Sequence, residues 1–190
     1  MTKILKVLLI LSFVALISCS QEKTDSTIKN TVDGEKKFNS TTSDIVELNE
    51  KGAGEKFGTI TVTETADGIS IEVKASGLKP GQVGFHLHEK NSPEPTTDAN
   101  GNLVVGGGLG GHWDPDNIQK HAGPDGDGHR GDLDALNIND DGSINQVVIS
   151  AKIKYGDVKG RSFVIHANPD NYTDEPANGG SGARLYTAIF

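Results

Sequence analysis

The sequence predicts an all-β domain, an antiparallel β-sandwich or barrel interrupted by two long functional loops. Three observations carry that expectation. Short stretches alternate apolar and polar residues; Gly, Pro, Asn or Asp separate them; and no window of comparable length shows helical periodicity. The first four stretches are "DIVELNE" (44–50), "FGTITVTET" (57–65), "GISIEVKAS" (68–76) and "GQVGFHLHE" (81–89). The pattern returns in "SINQVVISAKI" (143–153) and "RSFVIHA" (161–167), and "GARLYTAIF" (182–190) closes the chain. Many short strands with glycine-rich turns imply sheet packed on sheet, or one sheet closed on itself. Residues 90–142 and 167–183 break the rhythm, and loops this long inside a compact domain usually carry function.

The domain does not start at residue 1. Lys3 and Lys6 lead into an apolar run from Val7 to Ile17, and Cys19, the sole cysteine, follows. That order describes a secretory signal, and the run is too short to span a membrane comfortably. Cys19 falls where a bacterial lipoprotein signal puts its acylated cysteine. Residues 1–18 are therefore expected to be a signal peptide and Cys19 a lipid anchor to a membrane of the bacterial envelope. Residues 19–43 are polar, lack hydrophobic periodicity, and read as a flexible tether. The domain is expected over 44–190, about 147 residues, facing the periplasm or the cell exterior. Asn39-Ser40-Thr41 and Asn171-Tyr172-Thr173 match the glycosylation sequon, but a lipoprotein signal of this kind argues against its use.

Charge and cysteine content narrow the function. The formal charge is −8, and losing residues 1–18 removes Lys3 and Lys6 but no acid, leaving −10. An acidic chain with no basic block argues against nucleic acid as a partner. With Cys19 committed to lipid, no disulfide can form within the chain, so the domain needs another staple or a sufficient core.

The chemistry lies in six histidines. In "GFHLHE", His86 and His88 are two residues apart, so an extended strand puts both on one face and Phe85 and Leu87 on the other. Two imidazoles side by side can offer nitrogens to one ion. The loop "GGHWDPDNIQKHAGPDGDGHRGDLDAL" brings His112, His121, His129 and Asp132 within 21 residues. Three imidazoles and a carboxylate make a tetrahedral set of the kind zinc favours, and a metal would organise a loop with little apolar content. His166 ends an alternating strand, and none of the six histidines lies on the tether.

At this point the chain closely resembles the copper/zinc superoxide dismutase family in its bacterial exported form. The likeness covers nearly all of 44–190 and rests on "GFHLHE", "GGHWDP", "HAGPDGDGHRGDL", "RSFVIHANPDNYTD" and "GGSGAR", in that order. It implies an eight-stranded Greek-key sandwich, one copper and one zinc per subunit, superoxide as substrate, and a monomer or homodimer. Residue by residue, it implies that His86, His88, His112 and His166 bind copper. It implies that His112, His121, His129 and Asp132 bind zinc, with His112 bridging both. Asp170 would hydrogen-bond His86 and His121, and Arg184 would guide and hold the anion. The implied reaction oxidises one superoxide to dioxygen and reduces a second to hydrogen peroxide, with Cu(II) and Cu(I) alternating and His112 taking up a proton.

Two departures stand out. The family's disulfide is missing, with Ser92 or Pro93 and Thr187 near the expected cysteine positions. A lost native disulfide costs about 2–5 kcal/mol in a small secreted domain, so stability is expected to depend on bound metal. The 167–183 loop carries Asp170, Asp174 and Glu175 but no lysine or arginine, leaving Lys90, Lys120 and Arg130 as the nearest cations in sequence for steering an anion. The competing expectation is a non-catalytic lipoprotein that buffers copper or zinc with the same ligands.

Overall fold

Alternating burial along the strands decides how this chain folds. In Ile69–Ala75, Ile69, Ile71 and Val73 are fully buried while Ser70, Glu72 and Lys74 lie outside, the period of two that a half-covered sheet requires. The computed structural model describes residues 37–190; the expected signal peptide, Cys19 and the tether up to residue 36 lie outside the described residues. Among the described residues eleven strands occur: β1 (Ser40–Asn49), β2 (Gly52–Glu64), β3 (Ile69–Ala75), β4 (Gly81–Val83), β5 (Phe85–His88), β6 (Thr96–Thr97), β7 (Leu103–Val104), β8 (Leu136–Ile138), β9 (Ile144–Ser150), β10 (Ser162–His166) and β11 (Arg184–Ile189).

Seven of them form one antiparallel sheet in the order β5-β10-β11-β1-β2-β3-β9. β4 pairs with β8 and runs into β5 across Gly84 alone, so β4 and β5 act as one bent strand. Setting aside the short β6–β7 hairpin, eight strands remain, as expected. The Gln146 side chain joins the two ends of this curl: Asn137 N donates to its Oε1 at 3.0 Å, and its Nε2 donates to Ala135 O at 3.0 Å. β3 and β4 follow each other in the chain but are not neighbours in the sheet, which is the Greek-key feature.

The core fills the interior with Ile45, Ile60, Val62, Ile71, Phe85, Leu87 and Phe163, among others, and the Phe85 and Phe163 rings stack at 5.5 Å. A second, separate cluster joins Leu48 on β1, Leu109 in the loop after β7, and Val164 on β10. The first strand begins earlier than expected. Residues 40–43, read from sequence as tether, pair with 60–63 of β2. They lack an apolar rhythm because both faces are exposed, and hydroxyls supply the cross-strand contacts instead: Ser40 Oγ with Thr63 Oγ1 at 3.0 Å, and Thr42 Oγ1 with Thr61 Oγ1 at 2.9 Å.

Candidate metal centre

Strand register assembles the first half of the site. β5 pairs with β10 so that His86 lies opposite Val164 and His88 opposite Ser162. His86 and His88 are both buried on one face, with Phe85 and Leu87 in the core on the other. A register shift on β10 places His166 opposite Arg184 of β11. The long loop supplies the second half by clamping the free edge of β5: Leu87 N donates to Gly131 O at 2.9 Å, and Trp113 N donates to Leu87 O at 2.8 Å. Those two bonds put His112 beside His88 and Asp132 beside His86.

One ligand atom from each of His86, His88, His112 and His166 lies within 4.8 Å of the others. His86, His112, His121 and Asp132 meet the same spacing. Asp132 Oδ1 is the focus of that second group: His112 Nδ1 and His121 Nδ1 lie 3.0 Å from it and His129 Nδ1 3.4 Å. His129 Nδ1 thus stands beside the same carboxylate oxygen, a further donor next to this second group. His86 and His112 are common to both groups.

The outer hydrogen bonds fix which nitrogen of each ring is free. His86 Nε2 donates to Asp170 Oδ2 at 2.6 Å, and His121 Nε2 donates to Asp170 Oδ1 at 2.8 Å. His88 Nδ1 donates to Gly110 O at 2.9 Å, and His166 Nδ1 donates to Gly182 O at 3.2 Å. A neutral imidazole carries one N–H, so these bonds leave lone pairs on His86 Nδ1, His88 Nε2 and His166 Nε2. Two of those acceptors, His88 Nε2 and His166 Nε2, face each other at 3.4 Å with no proton between them. The buried His86 Nδ1 has no hydrogen-bond partner, and His121 Nδ1 and His129 Nδ1 have no well-aligned one although Asp132 Oδ1 lies 3.0 and 3.4 Å away. Buried acceptors left in this condition cost free energy unless a cation satisfies them. The donor set fits two metal ions: an all-imidazole group suited to copper, and a group of three imidazoles and a carboxylate suited to zinc.

Electrostatics agree with that fit. Burial, reinforced by neighbouring imidazoles, holds His88 and His166 well below the usual histidine range. Burial also brings His112 down to about 4, against the pull of Asp132, so these rings stay neutral near pH 7. Burial works against His121 too, but Asp132 and Asp170 prevail and raise it to about 9, so without a metal this ring holds a second proton between the two carboxylates, where a bound cation would replace it. The two carboxylates would be raised by burial, yet their histidine partners hold both below the ordinary carboxylate range.

A pocket of about 420 Å³ opens onto His88, His112 and His166, with Arg184 in its wall. Arg184 is half-buried, its Nη1 donating to Gly106 O at 2.7 Å and its Nη2 to Gly110 O at 2.8 Å. The arginine is thus held by loop carbonyls without a disulfide. Thr187, near one expected cysteine position, is buried and donates from Oγ1 to Phe163 O. Lys90, Lys120 and Arg130 do not line the pocket; Arg130 pairs instead with Asp116 at 2.6 Å. The remaining wall is largely neutral, with Leu103, Val104, Val105 and Asn178.

Sequence reasoning missed the backbone groups that hold the histidines and the arginine, since carbonyls leave no residue signature. It also missed Asp174, whose Oδ1 accepts from His121 N at 2.7 Å, and Gly179. A Cβ on Gly179 would collide with Asp170 Oδ1 and meet His121 Nε2 at 2.9 Å, and its φ of +68° suits glycine. The doubled glycine in "NGGSG" is the signal that could have indicated this close approach.

Comparison with known proteins agrees with the geometry. Residues 56–190 match the family described as copper/zinc superoxide dismutase. The Cu-Zn superoxide dismutase of Brucella abortus is 40% identical over 152 residues, covering 79% of this chain and 87% of that protein. A solved structure of the Brucella abortus enzyme superposes with a TM-score of 0.76 at 38% identity, covering 80% of this chain and 99% of that one. The solution structure of the monomeric enzyme from Salmonella enterica gives 0.71 at 35% identity, with the same coverage. Two overlapping donor groups, set in a Greek-key curl that these enzymes share, make the chain a member of the copper/zinc superoxide dismutase family, an oxidoreductase whose cofactors are copper and zinc.

Proposed function

We propose that His86, His88, His112 and His166 hold copper, that His112, His121, His129 and Asp132 hold zinc, and that Arg184 receives the superoxide anion. The observation that carries this assignment is the inward set of lone pairs. His86, His88 and His166 spend one nitrogen on an oxygen acceptor and have the other among one close donor group, and His121 likewise gives Nε2 to Asp170 and has Nδ1 beside Asp132. Copper, when bound, supplies a one-electron couple that oxidises one superoxide to dioxygen and reduces the next to hydrogen peroxide with two protons.

The chain's own groups do the rest. Arg184 presents a fixed cation in the pocket wall beside His166, placing a small anion next to the copper ligands. His112 holds Nδ1 toward Asp132, so its Nε2 is the one nitrogen able to change partner and take up a proton. Asp170 keeps the rings of His86 and His121 in one tautomer and one orientation, coupling the two halves. Zinc-side residues have an ordering role, since the loop from 112 to 132 has few apolar anchors.

Superoxide consumption by copper- and zinc-loaded protein, with His166→Ala as control, tests the assignment. The wild type is expected to be faster by at least about 100-fold, in line with loss of a metal ligand. Wild type no faster than the variant would leave metal buffering as the reading.

Residues 1–18 as a signal peptide and Cys19 as an acylated anchor, with the domain in the periplasm or outside the cell, complete the proposal. Lys3, Lys6, the Val7–Ile17 run and the position of Cys19 support it. Labelling cells with a fatty-acid analogue checks it: label on the wild type but not on Cys19→Ser is expected, and label on both contradicts it.

A further inference from the structure

Among the described residues Arg184 has no acidic partner; two backbone carbonyls hold it. Those carbonyls, of Gly106 and Gly110, belong to one tight turn, and the residue between them that reaches into the protein is Leu109, which is fully buried. Leu109 is not part of the main core. It packs in the separate cluster with Leu48 of β1 and Val164 of β10, with Val105 against it. The turn is closed on itself by Leu109 N donating to Gly106 O at 3.1 Å and Gly110 N donating to Gly107 O at 3.2 Å. It is tied outward at only two backbone points, Lys90 N to Leu109 O at 3.0 Å and Gly108 N to Glu94 O at 2.9 Å. Both partners, Lys90 and Glu94, are exposed loop residues. The apolar attachment of the turn to the barrel is the Leu109 side chain, alongside the bonds that Gly106 O and Gly110 O accept from Arg184 and His88. Packing at Gly106 is tight as well: a Cβ there would lie 2.9 Å from Leu48 Cδ1 and 3.4 Å from Leu109 Cδ1.

We infer that Leu109 is a positioning residue for the anion site. Clamped between Leu48 and Val164, it sets the depth of the 106–110 turn, and the turn's carbonyls set where the Arg184 guanidinium stands in the pocket. Gly110 O also accepts from His88 Nδ1, so one apolar side chain fixes both the arginine and the orientation of a proposed copper ligand. In a chain whose only cysteine lies at position 19, this clamp is the covalent-bond-free way of holding the turn to β1 and β10. The inference rests on Arg184 being the anion-binding group.

The test uses copper- and zinc-loaded protein and reads anion binding rather than turnover. Azide, a small anion that ligates Cu(II), is titrated by its charge-transfer absorption into wild type, Arg184→Ala, Leu109→Ala, Leu109→Met and the Leu109→Ala/Arg184→Ala double variant. Arg184→Ala is expected to weaken azide by about tenfold, and Leu109→Ala by about three- to tenfold, with the double variant no weaker than Arg184→Ala alone. Leu109→Met, which refills the clamp, is expected to stay within about twofold of wild type. Leu109→Ala binding azide like wild type while Arg184→Ala does not, or the two losses multiplying in the double variant, overturns the clamp. Wild-type affinity in Arg184→Ala overturns the underlying assignment of the arginine, a result distinct from failure of the clamp alone. Should Leu109→Ala not fold, Leu48→Ala opens the same cluster from β1 and is held to the same outcomes.

Discussion

The two halves of the metal centre are built in opposite ways. The proposed copper half stands on strands: His86 and His88 on β5 and His166 on β10 are fixed by the sheet ladder and backed by Phe85, Leu87 and Phe163. The proposed zinc half stands on a loop, where His121 and His129 are separated from regular structure by glycines, prolines and aspartates. Its order comes from polar ties: Asp174 to His121 N, His129 N to Lys120 O at 2.9 Å, and Lys152 Nζ to Gly123 O at 3.1 Å and Gly126 O at 2.6 Å. A sheet can hold ligands in place before the metal arrives. A polar loop needs the metal to complete its own structure.

Metal removal separates the halves most strongly. Stripping both ions is expected to lower the melting temperature by about 10 °C or more. A ligand present at 1,000 times its Kd contributes about 4.1 kcal/mol, and each kcal/mol moves a domain of this size by about 2–4 °C. Amide hydrogens at 112–132 are expected to lose protection in the stripped protein while those of β5 and β10 keep theirs. A change under about 2 °C, or equal loss of protection in both halves, breaks the comparison.

Asp170→Asn acts on both halves at once, since it removes the charged acceptor of His86 Nε2 and His121 Nε2. Chelator competition should show a fall of about 10- to 100-fold in affinity for each metal. A fall confined to one metal would separate the halves that Asp170 is argued to couple.

Lys152→Met should act on the zinc half alone. It removes two hydrogen bonds from a charged donor, worth about 1.5–3 kcal/mol each when well formed, less here because the side chain is partly exposed. Faster hydrogen exchange at 121–129 in the zinc-loaded protein, with copper affinity unchanged, is the expected outcome. The smallest effect belongs to Arg130→Ala, whose pairing with Asp116 is solvent-exposed on both sides and contributes less than about 1 kcal/mol. A larger loss of stability would show that this pair, too, shapes the zinc loop.

What the sequence revealed follows the same division. The shared face of His86 and His88 was legible because a strand's period of two needs no tertiary information. The donor types at His112, His121, His129 and Asp132 were legible, but their convergence on one carboxylate oxygen depends on the loop clamping β5 through Leu87, which no local pattern encodes. Arg184 faces His166 only because of a register shift in β10, and such irregularities carry no composition signal. The β6–β7 hairpin escaped notice because strands of two residues leave no periodicity, and the start of β1 did so because serine and threonine pair without an apolar rhythm.

The central claim is that one imidazole serves both halves. Anomalous X-ray diffraction from crystals of the loaded protein, recorded across the copper and zinc absorption edges, tests it most directly. The account predicts a copper peak among His86, His88 and His166, a zinc peak among His121, His129 and Asp132, and the His112 ring between them. A single peak, or two peaks with His112 bound to neither or to one in every oxidation state, would contradict it.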